Sequence, residues 1–268
     1  MGLLFVNNHL IYTPLRLLEQ PALNPLPLSC KLSSMSILSS NKKCVIITGA
    51  SRGLGAMILK NLIAEYAVIG LTRKIQTITA HKMDTHDNVR WFQCELTRKE
   101  DIEAFGNELK DLKAKPYALI HCAGPIRYSS SPIPPWNEFE EMMTGNLKST
   151  VNLLRTLAPL VVSGRIILFG FSGNRSNQGF KQITAYASAK EALTVVAQSA
   201  ARDLAGKGTT VNVICPGVFE DEKGDLPQQG QALLPRIPLS RFGKEADISG
   251  VVNWLLGKGS AYVTGQVI

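Results

Sequence analysis

Two residues with clear chemical potential are Tyr186 and Lys190, which open a stretch with helical spacing that runs to Leu204. Side chains four positions apart lie on one face of a helix, so we expect the phenol and the ammonium to be neighbours. A nearby cation favours the phenolate and lowers the pKa of a tyrosine, which can then donate a proton to an alkoxide formed as hydride arrives. Taken alone, such a pair is more often a feature of a helix surface, so its meaning depends on the rest of the chain.

A glycine-rich segment, Thr48 to Gly55, lies far upstream between an apolar run and a stretch with helical spacing. Gly49 lets the chain turn sharply, Gly53 lets the backbone approach a pyrophosphate, and Gly55 lets the helix pack against the strand. The helix amino terminus then offers N–H groups and a positive dipole end to the anion. Three glycines alone are a weak signal, but the strand–turn–helix context favours a dinucleotide site over an ordinary turn.

The type of dinucleotide is indicated at the end of the second apolar run, Leu71-Thr72-Arg73-Lys74. An NAD site normally has an acid near this point to hold the ribose 2′-hydroxyl, and none is present. Arg73 can instead pair with a 2′-phosphate, assisted by Arg52 in the glycine-rich turn. The alternative is an ordinary surface arginine at a strand end, but the missing acid and the second basic residue favour NADP(H).

The elements that position these groups alternate between strand and helix from Lys43 onward. This alternation predicts a single α/β domain over residues 35–268, with a Rossmann-type, doubly wound parallel sheet. The predicted strands are Cys44 to Ile47, Ala67 to Leu71, Val89 to Cys94, Tyr117 to Cys122, Arg165 to Phe169 and Val211 to Cys215. The predicted helices are Leu54 to Tyr66, Lys99 to Lys113, two stretches within Trp136 to Val162, and Tyr186 to Leu204.

Residues 1–34 differ from this pattern, with four prolines, three charged side chains and no persistent period. They are poor in acids and end rich in serine, as targeting peptides can be, but they lack the basic start and apolar core of a secretory signal and have few arginines. Translation from Met35 is another interpretation. We expect an extension that is disordered or mis-assigned.

The composition excludes several classes of protein. With 45% hydrophobic and 19% charged residues, the chain is an ordinary globular mixture. No apolar stretch reaches the roughly 18 residues of a membrane helix. The net charge is +8, and the lysines and arginines are scattered along the chain, which favours a solvated basic surface over an anion-attracting one. The chain has no basic run with interleaved aromatic residues, so we do not expect it to bind nucleic acid.

The cysteines and histidines predict neither disulfides nor a metal site. None of the five cysteines forms a C-x-x-C pair, and the four histidines are dispersed. Cysteines in apolar runs are typical of small buried side chains in a reducing compartment. We therefore expect a cytoplasmic protein.

From about Lys43 to Ile268 the chain resembles the short-chain dehydrogenases/reductases. The resemblance rests on the glycine-rich turn, Ala123-Gly124, Asn146, the Tyr186/Lys190 pair and Pro216-Gly217, in a highly specific order and spacing. It implies that Tyr186 and Lys190 are catalytic, that Lys190 also holds the nicotinamide ribose, and that Asn146 anchors a proton-relay water. The implied cofactor contacts are Gly49, Ser51, Arg52, Gly53, Leu54, Gly55, Arg73, Glu95, Leu96, Ala123, Gly124, Tyr186, Lys190, Pro216, Gly217 and Val218.

Three features depart from the family pattern. His121-Cys122-Ala123-Gly124 stands where Asn-Asn-Ala-Gly is usual, and we interpret His121 as a structural replacement. The serine expected after the fifth strand is displaced, because one alignment puts Phe171 there and another points to Gly173 or its neighbour Ser172. We take Ser172 as the catalytic serine, with Ser176 as the poorer candidate. The tail is shorter than usual, so we expect the last strand to be present but short.

Within the family, the segments Gly164 to Ile167, Val211 to Gly217 and Pro238 to Gly243 look most like those of 3-oxoacyl-(acyl-carrier-protein) reductases. That resemblance suggests a 3-oxoacyl thioester, free or bound to a carrier protein, a role in fatty acid synthesis, and a homo-oligomer, either tetramer or dimer. The unusual Gly170 to Gly173 stretch would suit a flatter ring, which makes a pteridine-type reductase the second candidate. A catalytically idle NADP(H)-binding paralogue is the third.

Overall fold

The computed structural model describes residues 41–75, 86–174, 178–220 and 230–268, together with two short strands nearer the amino terminus. Those two strands, Phe5–Val6 and His9–Leu10, pair antiparallel within a unit that spans Met1–Lys31. The remainder, Leu32–Ile268, is the second compact unit. The second unit contains every residue of the predicted site.

The second unit is built on six parallel strands, each a short apolar run of the sequence. In chain order they are β1 Cys44–Thr48, β2 Ala67–Thr72, β3 Val89–Gln93, β4 Ala118–His121, β5 Arg165–Phe169 and β6 Thr210–Ile214. They lie side by side in the order β3-β2-β1-β4-β5-β6. This is the doubly wound Rossmann order, so the predicted fold class is confirmed.

Helices cover both faces of the sheet, which is why all five residues of β1 are buried. Their bounds are α1 Gly53–Leu62, α2 Lys99–Asp111, α3 Trp136–Met142, α4 Ser149–Leu157, α5 Thr184–Leu204, α6 Gly230–Leu233 and α7 Glu245–Leu256. A π-helical segment, Met143–Lys148, joins α3 to α4. Short 3-10 turns follow at Ala158–Leu160, Ala205–Lys207, Leu234–Arg236 and Lys258–Ser260.

The core is divided between the two faces by the alternation of side chains along each strand. Ile46 of β1 packs with side chains of α2, α4 and α5, whereas Val45 and Ile47 pack with those of α1 and α7. Successive strand residues point to opposite faces, so a run that is apolar at every position feeds both layers.

The end of the chain runs beside β6. Val267 forms a parallel bridge with Val213, and the N–H of Cys215 donates to Ile268 O at 2.7 Å. The structure thus has an isolated bridge at the position where a short last strand was expected. None of the helices in the described ranges is long and apolar enough to cross a membrane.

Candidate active site

The site lies at the carboxyl edge of the sheet, where the strand order reverses between β1 and β4. Open α/β sheets bind ligands in the crevice formed at this reversal. The turns after the two strands are in close contact, since a Cβ on Gly49 would lie 2.9 Å from Ala123 N. The fold therefore brings the glycine-rich turn and the Ala123-Gly124 turn together.

The glycine-rich turn has the geometry of a phosphate cradle. Gly49 and Gly53 have φ of +66° and +57°, in the left-handed region that side chains disfavour. A Cβ on Gly55 would lie 2.2 Å from Gly49 O, so only glycine lets α1 pack this closely. The space beside Gly53 is open, because a Cβ there would have no described atom within 4 Å.

The amino end of α1 completes this cradle. The N-cap residue, Arg52, makes no side-chain hydrogen bond to the helix end, and the first turn contains no acid. The positive end of the helix dipole therefore faces the crevice without an internal anion. Together with the open space beside Gly53, this arrangement fits the pyrophosphate of a dinucleotide.

Two arginines stand exposed at this edge. Arg73 directly follows β2 and Arg52 lies in the turn after β1, and the two strands are adjacent, with Thr48 opposite Leu71. Neither guanidinium forms an ion pair with any residue of the described ranges. An unpaired, exposed guanidinium can pair with a phosphate in a bidentate arrangement.

The residues expected around the adenine lie after β3. Leu96 is buried in the core, while the Glu95 carboxylate accepts hydrogen bonds from the N–H and the hydroxyl of Thr97 at 3.2 and 3.0 Å. The N–H of Glu95 donates to Asp101 at 3.0 Å. Glu95 thus stabilises its own turn, and its contact with adenine stays a prediction.

The segment expected around the nicotinamide follows β6 at the same edge of the sheet. Pro216 and Val218 are half-buried and Gly217 is exposed. A Cβ on Gly217 would have no described atom within 4 Å, so the backbone there is open to an approaching ring. The contact of these three residues with the nicotinamide stays a prediction.

The reactive pair lies in the first turns of α5. Lys190 is 5% exposed, and its Nζ donates to Phe169 O, at the end of β5, at 2.7 Å. The same Nζ lies 5.7 Å from the centre of the Tyr186 ring. The prediction that the phenol and the ammonium are neighbours is confirmed.

Burial controls the protonation of both groups. It raises the pKa of Tyr186 to about 12, with smaller contributions from Tyr128 and Cys215, and it lowers the pKa of Lys190 to about 8. The expectation that the cation lowers the tyrosine pKa is wrong for this fold, because burial of the phenol raises that pKa. Tyr186 is therefore a protonated phenol at neutral pH, ready to donate.

Asn146 approaches the pair from the π-helical segment. Its side chain is fully buried, and Nδ2 donates to Pro125 O at 2.9 Å and to Met142 O at 3.1 Å. Its Oδ1 is buried without a hydrogen-bond partner among the described residues. A Cβ on Gly124 would lie 2.4 Å from that Oδ1 and 3.5 Å from Lys190 Nζ, so both polar groups converge on this glycine.

An orphaned buried acceptor beside a buried ammonium normally receives a water or a ligand group. π-helical segments are also frequent at functional sites, because the extra residue redirects one side chain. The surroundings of Asn146 thus fit the proton-relay role that the resemblance implied.

The turn that carries the candidate serine is tightly built. Asn174 N donates to Phe171 O at 2.9 Å, and Asn174 Nδ2 donates to Thr194 of α5 at 2.6 Å. Ser172 is the second residue of this turn and is exposed, and its hydroxyl has no hydrogen bond to another described residue. Ser176 lies outside the described residues, so the choice between the two serines stays a prediction.

Aromatic rings line the crevice beside Tyr186. The Phe171 ring meets Tyr186 edge-on, with centroids 5.6 Å apart, and meets Phe180 at 5.3 Å. A Cβ on Gly173 would lie 2.5 Å from the Phe171 ring, so glycine allows these rings to pack closely. Phe171, which occupies one aligned position of the usual serine, presents an apolar wall instead.

Several site residues escaped the sequence reasoning. Thr48 and Thr150 bond the two ring nitrogens of His121, and Asn174 fixes the turn of Phe171. Thr150 stands four residues after Asn146 and donates to its carbonyl, a spacing that could have indicated the contact. No group of histidine, cysteine, aspartate or glutamate side chains in the described ranges could hold a metal ion.

Comparison with known proteins agrees with this arrangement. A model of short-chain dehydrogenases/reductases, described as enoyl-(acyl carrier protein) reductase, matches residues 49–268. The chain belongs to the short-chain dehydrogenase/reductase family. The match begins at Gly49 and covers the whole sheet beyond β1, so it includes every residue predicted to bind cofactor or substrate.

Individual short-chain dehydrogenases/reductases are similar over most of their length. The chain is 30% identical over 233 residues to the 3-oxoacyl-(acyl-carrier-protein) reductase of Vibrio cholerae, covering 84% of this chain and 94% of that protein. It is 28% identical over 243 residues to nodulation protein G of a Rhizobium species, covering 83% and 93%. A dehydrogenase/reductase from Sinorhizobium meliloti superimposes with a TM-score of 0.76 at 26% identity, covering 88% and 96%.

Proposed function

We propose that this short-chain dehydrogenase/reductase uses NADPH to reduce the carbonyl of a 3-oxoacyl thioester to the 3-hydroxyacyl form. The observation that carries the proposal is the convergence of Lys190 Nζ and the orphaned Asn146 Oδ1 on Gly124, one helical turn from Tyr186. The similarity to 3-oxoacyl-(acyl-carrier-protein) reductases supports the choice of substrate. We further propose a cytoplasmic homo-oligomer that takes the substrate free or bound to a carrier protein.

The chain's own residues divide the work of cofactor binding. The glycine-rich turn and the amino end of α1 would hold the pyrophosphate, and Arg73 with Arg52 would hold the 2′-phosphate. Lys190 would bind the nicotinamide ribose, and Pro216 to Val218 would line the ring. Bound in this way, NADPH supplies the hydride for the reaction.

Tyr186 completes the reduction at the substrate oxygen. As the carbonyl carbon gains hydride, the C=O π electrons move to oxygen, and Tyr186 Oη donates its proton to the alkoxide. The buried ammonium of Lys190 stabilises the phenolate that remains, more strongly than it would in water. Asn146 Oδ1 would hold the water through which the proton of Tyr186 is restored.

A second candidate substrate is a flat ring of the pteridine type. The packed rings of Phe171, Phe180 and Tyr186 favour it, because a planar conjugated substrate gains from stacking or edge contacts with aromatic walls. A linear acyl thioester makes no specific use of these rings. An idle cofactor-binding paralogue is disfavoured because Tyr186, Lys190 and Asn146 are all present and brought together.

The test is steady-state oxidation of NADPH against acetoacetyl thioesters, quinonoid pterins and simple ketones, with the Tyr186→Phe variant as the matched control. We expect turnover with the thioesters that Tyr186→Phe abolishes. Turnover with pterins alone would transfer the assignment to the ring substrate. NADPH binding with no turnover on any member of the panel would favour the idle paralogue.

A further inference from the structure

His121 is a buried titratable group that the mechanism above does not use. It is the last residue of β4 and is 1% exposed. Both ring nitrogens are bonded, since Nδ1 lies 2.7 Å from Thr48 Oγ1 and Nε2 lies 2.9 Å from Thr150 Oγ1. A buried imidazole with two hydroxyl partners on opposite sides connects two parts of a structure rather than filling space.

The donors and acceptors around the ring allow one consistent arrangement. Thr150 Oγ1 donates its proton to the carbonyl oxygen of Asn146, so it accepts a proton from His121 Nε2–H. Nδ1 then carries the lone pair and accepts from Thr48 Oγ1–H. Thr48 Oγ1 in turn accepts from Ala123 N–H at 3.3 Å. With a neutral ring protonated at Nε2, every donor and acceptor in this series of hydrogen bonds has a partner.

The surroundings maintain the neutral ring. Burial and the nearby ammonium of Lys190 lower the pKa of His121 to about 3. A protonated ring would present a second donor to Thr48 and would place a second positive charge beside Lys190.

The series of hydrogen bonds through His121 connects the two halves of the active site. Thr48 and Ala123 belong to the contact between the glycine-rich turn and the turn after β4. Asn146 lies in the π-helical segment, and Thr150 lies at the start of α4. The Asn146 side chain then reaches back to Pro125 O at 2.9 Å, just after Gly124.

We propose that His121 is a positioning residue that sets the distance between the cofactor-binding turns and Asn146 through its Nε2–H tautomer. This proposal rests on the proposed reduction, because its kinetic consequence is the placement of the proton relay. Loss of the link moves Asn146 relative to Gly124 and Lys190 while the glycine-rich turn keeps its own geometry. The expected result is slower turnover with nearly unchanged affinity for NADPH.

The test compares two neighbouring hydroxyls on the same segment. Thr150→Val removes the link to His121 and keeps the shape of the side chain. Ser149→Ala is the matched control, because Ser149 is equally buried and makes the same kind of bond to Gly145 O at 2.7 Å without touching His121. We expect Thr150→Val to lower kcat by about 3- to 10-fold, with the KM for NADPH within about 2-fold of the wild-type value. Ser149→Ala should leave both constants within about 2-fold.

Equal losses of kcat in the two variants, or a loss confined to the KM for NADPH, would overturn the proposal. His121→Asn and His121→Leu provide a second comparison. The amide retains a donor and an acceptor, so we expect His121→Asn to keep more kcat than His121→Leu at comparable melting temperatures. Equal activity in these two would also overturn it.

A readout without turnover separates this inference from the proposed function. Nitrogen NMR of the histidine rings in the full-length protein should show a neutral ring protonated at Nε2 whose signal His121→Asn removes and whose signal shifts on NADPH addition. A ring protonated at Nδ1, or a signal unmoved by bound NADPH, overturns the inference. Absence of turnover with every carbonyl tested, alongside the expected NMR result, would instead count against the proposed reduction alone.

Discussion

Lys190 Nζ lies 5.7 Å from the centre of the Tyr186 ring, yet it donates its 2.7 Å hydrogen bond to Phe169 O, at the end of β5. The lysine is thus held in place by the sheet, and in the proposed mechanism it acts on the phenol through its charge. A buried charge at this distance favours a phenolate much more than an exposed one would.

Lys190 should make stability depend on pH. Its pKa falls from the usual value of 10.5 to about 8 in the folded protein, so between these values the unfolded chain holds a proton that the folded protein has released. Stability therefore rises with pH across that window and is flat below it. Across that pH window, the free energy of unfolding of the wild type minus that of Lys190→Met should therefore increase by up to about 3 kcal/mol.

Urea unfolding of both proteins at about pH 7 and about pH 10 measures this difference, and the comparison cancels other groups that titrate there. A wild-type-minus-variant difference that is constant, or that falls, over this range would mean that the ammonium is not desolvated in the folded protein.

Arg73 should determine the preference for NADPH over NADH. Its exposed guanidinium follows β2 and has no ion-pair partner in the described ranges, so a 2′-phosphate can take it without competition. Arg73→Ala removes a charge-assisted contact worth roughly 1.5–3 kcal/mol, or about ten- to a hundredfold in NADPH affinity. Titration of both cofactors, with Arg98→Ala as a surface control, checks this. Unchanged relative affinities would disprove the assignment.

Ser172 should supply the second hydrogen bond to the developing oxyanion. If it does, Ser172→Ala lowers turnover by about 10²–10³ and leaves NADPH affinity alone. Ser176→Ala is the control and should be nearly silent. The reverse pattern would assign the role to Ser176. Unchanged turnover in both variants would mean that Tyr186 acts with a backbone donor or that the substrate is of another kind.

The strands were predictable to within about one residue, because buried parallel strands are short apolar runs bounded by turns and helices. The end of α1 was less predictable. The helical spacing of apolar residues extends to Tyr66, whereas the helix ends at Leu62 with no glycine or proline to mark that end. The π-helical segment was not predictable, because one extra residue barely changes the apolar period.

The cofactor turn and the reactive pair followed from local spacing, since each lies within a single turn or helix. The sign of the Tyr186 pKa shift did not, because it depends on how deeply α5 and the aromatic turn bury the phenol. The bonds of His121 to Thr48 and Thr150 likewise join three segments distant in sequence. Only the tertiary structure reveals that a residue at an altered motif position connects the two halves of the site.

The central claim is that Tyr186 is the proton donor of a carbonyl reduction, and the Tyr186→Phe variant tests it most directly. The substitution removes the hydroxyl and keeps the ring that packs against Phe171. The measurement is single-turnover oxidation of enzyme-bound NADPH with the best carbonyl substrate, alongside the NADPH dissociation constant. We predict a loss of at least about 10² in rate with an unchanged dissociation constant. A rate close to that of the wild type would contradict the account.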